Sequence, residues 1–411
     1  MITATRVAGQ GLSPIRRMSL GAPPDAVNLG LGEPGWATLD VGVSAGATPL
    51  DYGPNTSDPE LVRAIGRYAG ALAGGSSPAH TSAPVAAGHN QSPGLSPDQV
   101  MVTAGSQAAL FALFSAYVEP GSVVLVPDPG FVAYPTLARM CGATPVGYPL
   151  GAGGDLDAHA LADVLGAHPH TSLVVLNHPA NPTGGVASAA AMARVARLCA
   201  ERDVLLVSDE VYAELWADER PASLREVTDG GVVLGSMSKA FAAPGLRIGW
   251  ATGDPDVLAP ARLVHNAMTT APSRLSQAAA LALLESAEGV LPAAREEIRT
   301  RWETVDVIAP HLRGAAQRIV GERRPATLPR TAGRVGFYLW LPLPHDVEEH
   351  GRSDAATTET FALRLRDEGG VTTIPGTAFG PGGAGFLRVS LGGPVAELEE
   401  GLRRLAPWWK A

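Results

Sequence analysis

Five short runs of apolar, largely β-branched residues constrain the fold of this chain more than any other feature of its sequence. They occupy residues 100–102, 123–126, 173–176, 204–207 and 232–234. Each run is apolar at every position, as expected for strands that are buried on both faces of a mostly parallel sheet. Helix-like stretches separate the runs, most clearly over residues 106–118 and 187–201. This alternation predicts an α/β layered domain.

The C-terminal part of the chain has a different pattern. Helix candidates lie at residues 293–307 and 359–368, and strand candidates lie at residues 336–341 and 386–390. We therefore expect a large domain over residues 44–290 and a smaller α+β lobe built from residues 1–43 and 291–411. Residues 71–97 are rich in Ala, Gly, Ser and Pro, which is typical of a surface insertion or a flexible loop.

Composition argues against several classes of function. The net charge is −9 and no long basic run is present, which disfavours nucleic acid or an anionic membrane as the main partner. No apolar run reaches about 18 residues and the first ten residues lack an apolar signal core, so we expect neither a transmembrane helix nor secretion. The two cysteines, Cys141 and Cys199, fit reduced thiols in a cytoplasm. The scattered histidines predict no metal site.

Lysine is nearly absent, although lysine and arginine together number 31. The only lysines are Lys239 and Lys410, and Lys239 lies between apolar segments. A primary amine can be desolvated, lowered in pKa and used as a nucleophile that forms an imine, whereas a guanidinium cannot. Lys239 is therefore a candidate nucleophile; composition alone leaves a surface lysine as the alternative.

Polar and glycine-rich clusters follow each of the five apolar runs. They lie at residues 105–107, 128–131, 177–184, 209–212 and 236–239. In open α/β sheets ligands bind in the crevice at the carboxyl ends of the strands. Any one of these clusters is also what a simple turn would contain. Five such clusters at the carboxyl ends of five predicted strands together predict a single ligand-binding pocket.

Three of these segments carry the most specific pattern: Asn-Pro-Thr-Gly at 181–184, Asp-Glu-Val-Tyr at 209–212, and Ser-Met-Ser-Lys at 236–239 with Arg247 eight residues further on. In this order and spacing they resemble the class I/II aminotransferases, which are fold-type I enzymes that use pyridoxal 5′-phosphate (PLP). The resemblance covers residues 13–405 apart from 71–97. It implies a mostly parallel seven-stranded sheet flanked by helices, with a smaller α+β lobe.

The resemblance also implies roles at the cofactor ring. Lys239 would hold PLP as a Schiff base and shuttle the proton, and Asp209 would pair with the pyridinium nitrogen. Asn181 and Tyr212 would hydrogen-bond the phenolic oxygen, and Phe131 would stack on the ring. The residues alone leave other interpretations open: a helix N-cap for Asp209, an Asx-Pro turn for Asn181, and core aromatic residues for Tyr212 and Phe131.

The phosphate would bind at the start of a helix, where backbone N–H groups and the helix dipole face an anion. The implied phosphate ligands are Gly105, Ser106, Gln107, Ser236, Ser238 and Arg247. Tyr52 resembles a tyrosine that reaches the phosphate of the neighbouring subunit, which implies a homodimer with shared active sites.

On the substrate side, Arg388 resembles the arginine that clamps an α-carboxylate bidentately. Gly32 belongs to a segment that would close over that carboxylate, and Asn181 would contact the substrate as well. These residues imply α-amino acid and 2-oxo acid substrates. His178 either faces the substrate or is a packed imidazole. Arg274 lies where relatives contact substrate across the dimer, which suggests an anionic substrate.

Three functions remain open at this point. Transamination between an α-amino acid and a 2-oxo acid is the first. A β- or γ-elimination, replacement or cyclisation on the same scaffold is the alternative, because the cofactor carries the chemistry and the pocket selects the outcome. A PLP-dependent sensor domain is the third, but it would need a DNA-binding region that the sequence does not reveal.

Overall fold

The centre of the molecule is a sheet whose strands end at a common edge. A computed structural model describes residues 4, 6–7, 11–44, 48, 51–73, 94–151, 153–313, 315–316, 334–344, 347 and 354–409. Most of the insertion predicted over residues 71–97 lies outside these ranges, as does Lys410. Residues 71–73 complete a helix rather than a loop, which corrects the start of that prediction.

The strands are β1 (Val27–Asn28), β2 (Val100–Thr103), β3 (Val123–Asp128), β4 (Thr144–Pro149), β5 (Thr171–Asn177), β6 (Leu205–Asp209), β7 (Val232–Ser236), β8 (Gly249–Thr252), β9 (Tyr338–Pro342), β10 (Val371–Thr372), β11 (Ile374–Pro375) and β12 (Phe386–Ser390). The α-helices are α1 (Pro14–Leu20), α2 (Pro59–Ala73), α3 (Ser106–Tyr117), α4 (Ala133–Met140), α5 (Ala158–Ala167), α6 (Ala189–Ala200), α7 (Pro255–Thr269), α8 (Arg274–Glu285), α9 (Ala287–Ile308), α10 (Ala355–Asp367) and α11 (Val395–Leu405).

Seven strands form the main sheet in the order β2-β8-β7-β6-β5-β3-β4. Only β8 runs antiparallel to its neighbours, so the predicted mostly parallel seven-stranded sheet is confirmed. All five apolar runs are strands of this sheet. The sequence did not predict β4 and β8, because β4 is a proline-bearing edge strand that is partly exposed and β8 (GWAT) contains no run of aliphatic residues.

Helices cover both faces of the sheet, which explains the uninterrupted apolar runs. Along β5, Leu173 and Val175 pack with α3, α4 and α7, whereas Val174 and Leu176 pack with α5 and α6. Burying each such side chain stabilises the fold by about 1.5–3 kcal/mol. The strand ends are therefore held in place from two sides.

A second layer of structure involves both ends of the chain. Strands β11, β12 and β9 form an antiparallel sheet, and β1 pairs in parallel with β10. The backbone N–H of Ser390 donates to the Leu29 carbonyl at 2.6 Å, so the residues after β1 lie directly beside the end of β12. This arrangement brings the segment around Gly32 next to Arg388. No helix in the described part of the chain combines the length and apolar character needed to span a bilayer.

Candidate active site

Asp209 occupies the last position of β6 and is 4% exposed. Its side chain lies on the sheet face covered by α3 and α4, where Tyr134 Oη donates to its Oδ2 at 2.7 Å. No hydrogen-bond partner among the described residues reaches its Oδ1. Burial raises the pKa of Asp209 to about 6, opposed by the Tyr134 hydrogen bond. A buried carboxylate with one unpartnered oxygen calls for a cationic donor at that oxygen.

Lys239 lies in the turn after β7, and its Nζ donates to the Gly32 carbonyl at 2.7 Å. The amine lies 5.4 Å from the centroid of the Tyr212 ring and 5.7 Å from that of Phe337. Burial lowers the pKa of Lys239 and the nearby Arg388 adds to this effect, against the opposing influence of Tyr338, Glu33 and Asp209. A lysine in such surroundings is more readily deprotonated, as a nucleophilic amine requires.

Tyr212 is buried, and its hydroxyl lies 2.9 Å from the hydroxyl of Tyr338 in β9. Burial raises the pKa of Tyr212 well above its ordinary value, so this side chain is a neutral phenol at neutral pH. Sequence reasoning predicted Tyr212 as a site residue but missed Tyr338.

Arg388 lies in β12 near the Lys239 amine and is 1% exposed. Its Nη1 donates to Asn181 Oδ1 at 2.8 Å and its Nη2 donates to the Gly30 carbonyl at 2.6 Å. The guanidinium lies 4.5 Å from the Tyr338 ring centroid and 4.8 Å from that of Phe379. Burial lowers its pKa, but an arginine keeps its charge under such conditions. Its Nε has no partner within the described ranges, so the cation retains a free donor for an anionic ligand.

Asn181 is held by the end of the neighbouring strand. Its backbone N–H donates to Asn177 Oδ1 at 2.8 Å, and Asn177 Nδ2 donates to the Asp209 carbonyl at 3.0 Å. The Asn177 side chain thus ties the loop to β6, where Asn177 and Asp209 are directly paired. Asn181, Arg388 and Asp209 are positioned by one continuous set of hydrogen bonds.

The predicted phosphate ligands lie around the start of α3. Gly105 precedes the helix with φ +84°, and no side chain among the described residues caps the helix N-terminus. A Cβ at Gly105 would overlap the Arg247 guanidinium, so glycine allows this arginine to approach. Ser236 Oγ donates to Ser238 Oγ at 2.9 Å and accepts from the Ser238 N–H at 3.0 Å. Arg247 and Gln107 are exposed, and Ser106 is half-buried.

The structure places four other residues named in the sequence analysis in different surroundings. Phe131 is half-buried and packs edge-to-face on Tyr134 at 5.6 Å, beside Asp209. Tyr52 is 90% exposed and is not brought to the site of its own chain. Arg274 forms an ion pair with Asp51 at 2.6 Å. His178 is a packed imidazole: it is buried on the opposite face of β6, with Nε2 3.1 Å from Ser208 Oγ, and burial lowers its pKa.

Sequence reasoning missed several residues of the site, of which Tyr134, Tyr338, Gly30 and Phe379 make direct contacts. Tyr134 lies three residues after Phe131, a spacing that would place both near the same strand end. Tyr338 lies in a strand that the sequence predicted, but no local motif distinguishes it from a core tyrosine. Gly30 and Phe379 contribute a carbonyl and a ring face, for which the sequence gives no signal.

Comparison with known proteins identifies this arrangement. The sequence model of the family described as aminotransferase class I and II matches residues 37–405. An arginine–pyruvate transaminase of Pseudomonas aeruginosa is 32% identical over 314 residues, which cover 75% of this chain and 74% of that protein. The chain belongs to the class I and II aminotransferases. An LL-diaminopimelate aminotransferase of Desulforudis audaxviator is 29% identical over 390 residues, covering 93% of this chain and 90% of the relative.

Solved structures support the same assignment for this aminotransferase. A mutant of Thermus thermophilus aspartate aminotransferase superposes with a TM-score of 0.79 at 26% identity, covering 99% of this chain and 100% of the other. An N-succinyldiaminopimelate aminotransferase from Mycobacterium tuberculosis gives a TM-score of 0.78 at 26% identity, with 99% and 100% coverage. These likenesses confirm the fold-type I architecture. The aminotransferase is therefore a PLP-dependent enzyme that acts on amino acids and 2-oxo acids.

The residues of this aminotransferase fit PLP chemically. The unpartnered Oδ1 of Asp209 suits a protonated ring nitrogen, and the uncapped N-terminus of α3 suits a phosphate. Lys239 supplies an amine whose pKa burial lowers. The ring nitrogen, the phosphate and the aldehyde of the cofactor thus each have a matching group in the chain.

Proposed function

We propose that this aminotransferase moves an amino group between an α-amino acid and a 2-oxo acid with Lys239 as the amine that holds PLP. The observation that carries the proposal is the buried Lys239 amine, which donates to the Gly32 carbonyl beside the Arg388-bound Gly30 and lies close enough to the Asp209 carboxylate and the Arg388 guanidinium for both charges to act on it. A nucleophile, a charged partner for the ring and an anion clamp are the three elements that this reaction needs.

The bound cofactor supplies an electron-withdrawing ring that stabilises the negative charge left when the substrate loses its α-hydrogen. Asp209 holds the proton on the ring nitrogen, because a carboxylate beside a cation stays ionised. Lys239, once released by the substrate, takes the α-hydrogen at Nζ and returns it at a second atom. Tyr212 and Asn181 donate hydrogen bonds to the phenolic oxygen. Phe131 excludes water from one face of the ring.

Ser236, Ser238, Arg247 and the first residues of α3 hold the phosphate in this proposal. The free N–H groups at the helix N-terminus and the arginine beside Gly105 give this region the donors and the positive charge that a phosphate requires.

Arg388 binds the substrate α-carboxylate, with Gly32 and Asn181 beside it. Arg388 is buried between two aromatic rings, and its five N–H groups exceed the two that bind Asn181 and Gly30, so it keeps donors for a planar, bidentate anion. The substrates named for the relatives, arginine, diaminopimelate and aspartate, all carry an α-amino carboxylate. A distal anion would have to displace Asp51 from Arg274 in order to reach that cation.

We also propose a homodimer in which Tyr52 completes the phosphate site of the partner subunit, because this aromatic side chain is 90% exposed within its own chain. The large domain would comprise residues 44–290 and the small domain residues 1–43 and 291–411. Cytoplasmic residence fits the two free cysteines, Cys141 and Cys199.

Reductive trapping tests the central assignment. Borohydride treatment of the PLP-loaded protein fixes the cofactor on the amine that carries it, and peptide mass spectrometry locates the added mass. The chain has only two lysines, so Lys410→Arg is a matched control that leaves one side-chain amine. We expect the modification on Lys239 in the wild type and in K410R, and none in Lys239→Ala. A modification that persists in K239A, or that resides on Lys410, would contradict the proposal.

A further inference from the structure

We propose that Tyr338 is a positioning residue whose hydroxyl donates to Tyr212 and so leaves the Tyr212 hydrogen free for the phenolic oxygen of the cofactor. This inference rests on the proposed role of Tyr212. It adds a residue that none of the site motifs contains.

The two hydroxyls form an isolated pair. Their oxygens lie 2.9 Å apart, and the described part of the chain offers neither of them another hydrogen-bond partner. Each of the two hydroxyl groups carries one hydrogen, and only one of these hydrogens can lie in the hydrogen bond between the two oxygens. One donor hydrogen of the pair is therefore left over in a buried site, where an unpaired donor is unfavourable unless a ligand accepts it.

The surroundings of Tyr338 favour it as the donor within the pair. The Arg388 guanidinium lies 4.5 Å from the centroid of its ring, closer than the 5.4 Å between the Lys239 amine and the centroid of the Tyr212 ring, and in the proposed function the cofactor takes up that amine. A cation over the face of a phenol stabilises electron density in the ring and strengthens the hydroxyl as a donor. A Cβ at Gly32 would overlap the Tyr338 hydroxyl, so the glycine backbone closes this side against water. The leftover hydrogen then belongs to Tyr212.

A hydroxyl that accepts a hydrogen bond is a stronger donor itself, because a chain of hydrogen bonds polarises its members. Tyr338 thereby strengthens the bond that Tyr212 makes to the phenolic oxygen. A stronger bond favours the anionic oxygen and lowers the pH at which the cofactor–lysine chromophore loses its proton. The charged and titratable groups around the pair are Lys239, Asp209, Arg388 and Glu33, and all four are unchanged by a substitution at Tyr338.

The test is a spectrophotometric pH titration of the visible band of the PLP-loaded protein, independent of turnover. Tyr338→Phe removes the hydroxyl and keeps the ring under Arg388. We expect its titration midpoint to rise by about half a pH unit, and that of Tyr212→Phe to rise further. In the double variant Y212F/Y338F we expect the midpoint of Y212F alone, because Tyr338 acts through Tyr212.

Tyr148→Phe is the matched control, since it deletes a buried hydroxyl that donates to the Val175 carbonyl at 2.8 Å and takes no part in the hydrogen bond between Tyr212 and Tyr338. We expect its midpoint to equal that of the wild type. An unchanged midpoint in Y338F with a raised one in Y212F overturns the role of Tyr338 and leaves that of Tyr212 intact. Equal shifts from Y338F in both backgrounds also overturn it. An unchanged midpoint in Y212F overturns both roles.

Discussion

The two halves of the site differ in how completely one chain builds them. On the inner half, Asp209, Asn181, Arg388, Tyr212 and Tyr338 are buried, and each takes part in a hydrogen bond within the chain. On the outer half, the N-terminus of α3 has no side-chain cap and Arg247 is exposed. Internal hydrogen bonds hold the inner half, and its two unpartnered atoms, Asp209 Oδ1 and Arg388 Nε, are those that the proposed cofactor and substrate would pair. The outer half instead presents backbone N–H groups and a cation that a bound phosphate would pair.

This difference predicts where a conservative change is tolerated, and the largest contrast is between two arginines. Arg388→Lys replaces a buried bidentate donor and should lower kcat/KM for an amino acid by about 100-fold or more. Arg247→Lys keeps a charge at an exposed position and should lower it by less than about threefold. Steady-state kinetics at saturating PLP measures both. Similar losses in the two variants would mean that burial does not distinguish the two halves.

A second prediction concerns the charge that the inner half buries. The pKa of Asp209 is raised to about 6 in the folded state, above that of a carboxyl in the unfolded chain. Its contribution to stability is therefore present below about pH 4 and is lost as pH rises through 6. Without cofactor, Asp209→Asn should be more stable than the wild type at pH 8, by roughly 3 kcal/mol, with the advantage vanishing near pH 4.

Urea unfolding of the cofactor-free proteins at both pH values measures this difference. Saturating PLP should reverse it, because the cofactor pairs the carboxylate of the wild type but not the amide of the variant. A D209N protein whose stability relative to the wild type is independent of pH would contradict the buried-charge interpretation.

A further, modest effect is expected from the side chain that the partner subunit would contribute to the outer half. Tyr52→Ala should weaken PLP binding several-fold, and mixing its subunits with those of K239A should restore activity at limiting PLP. In that hybrid dimer one of the two sites is complete, because the Y52A subunit supplies Lys239 and the K239A subunit supplies Tyr52. The control mixture is Y52A with the double variant Y52A/K239A, in which no site is complete. Equal activity in the two mixtures would exclude a shared site.

Sequence predicted most of the large sheet because burial on both faces leaves a local signature, a run with no polar residue. Strands β4 and β8 lack that signature. Lys239, Asp209 and Asn181 were predictable because each belongs to a short motif. Tyr134 and Tyr338 were not, because their partners lie 75 and 126 residues away in sequence. Only the packing of α4 and β9 against the strand ends creates those two contacts.

The hydrogen bond from Lys239 Nζ to the Gly32 carbonyl joins positions 207 residues apart. Residues 29–44 contain no helix or strand, so their order depends on tertiary contacts of this kind. In the proposed function the same nitrogen is captured by the cofactor and released again in each cycle. The Gly32 carbonyl then loses and regains a donor in step with the chemistry. Amide exchange in this stretch of backbone would therefore report the covalent state of one side chain, without any added label.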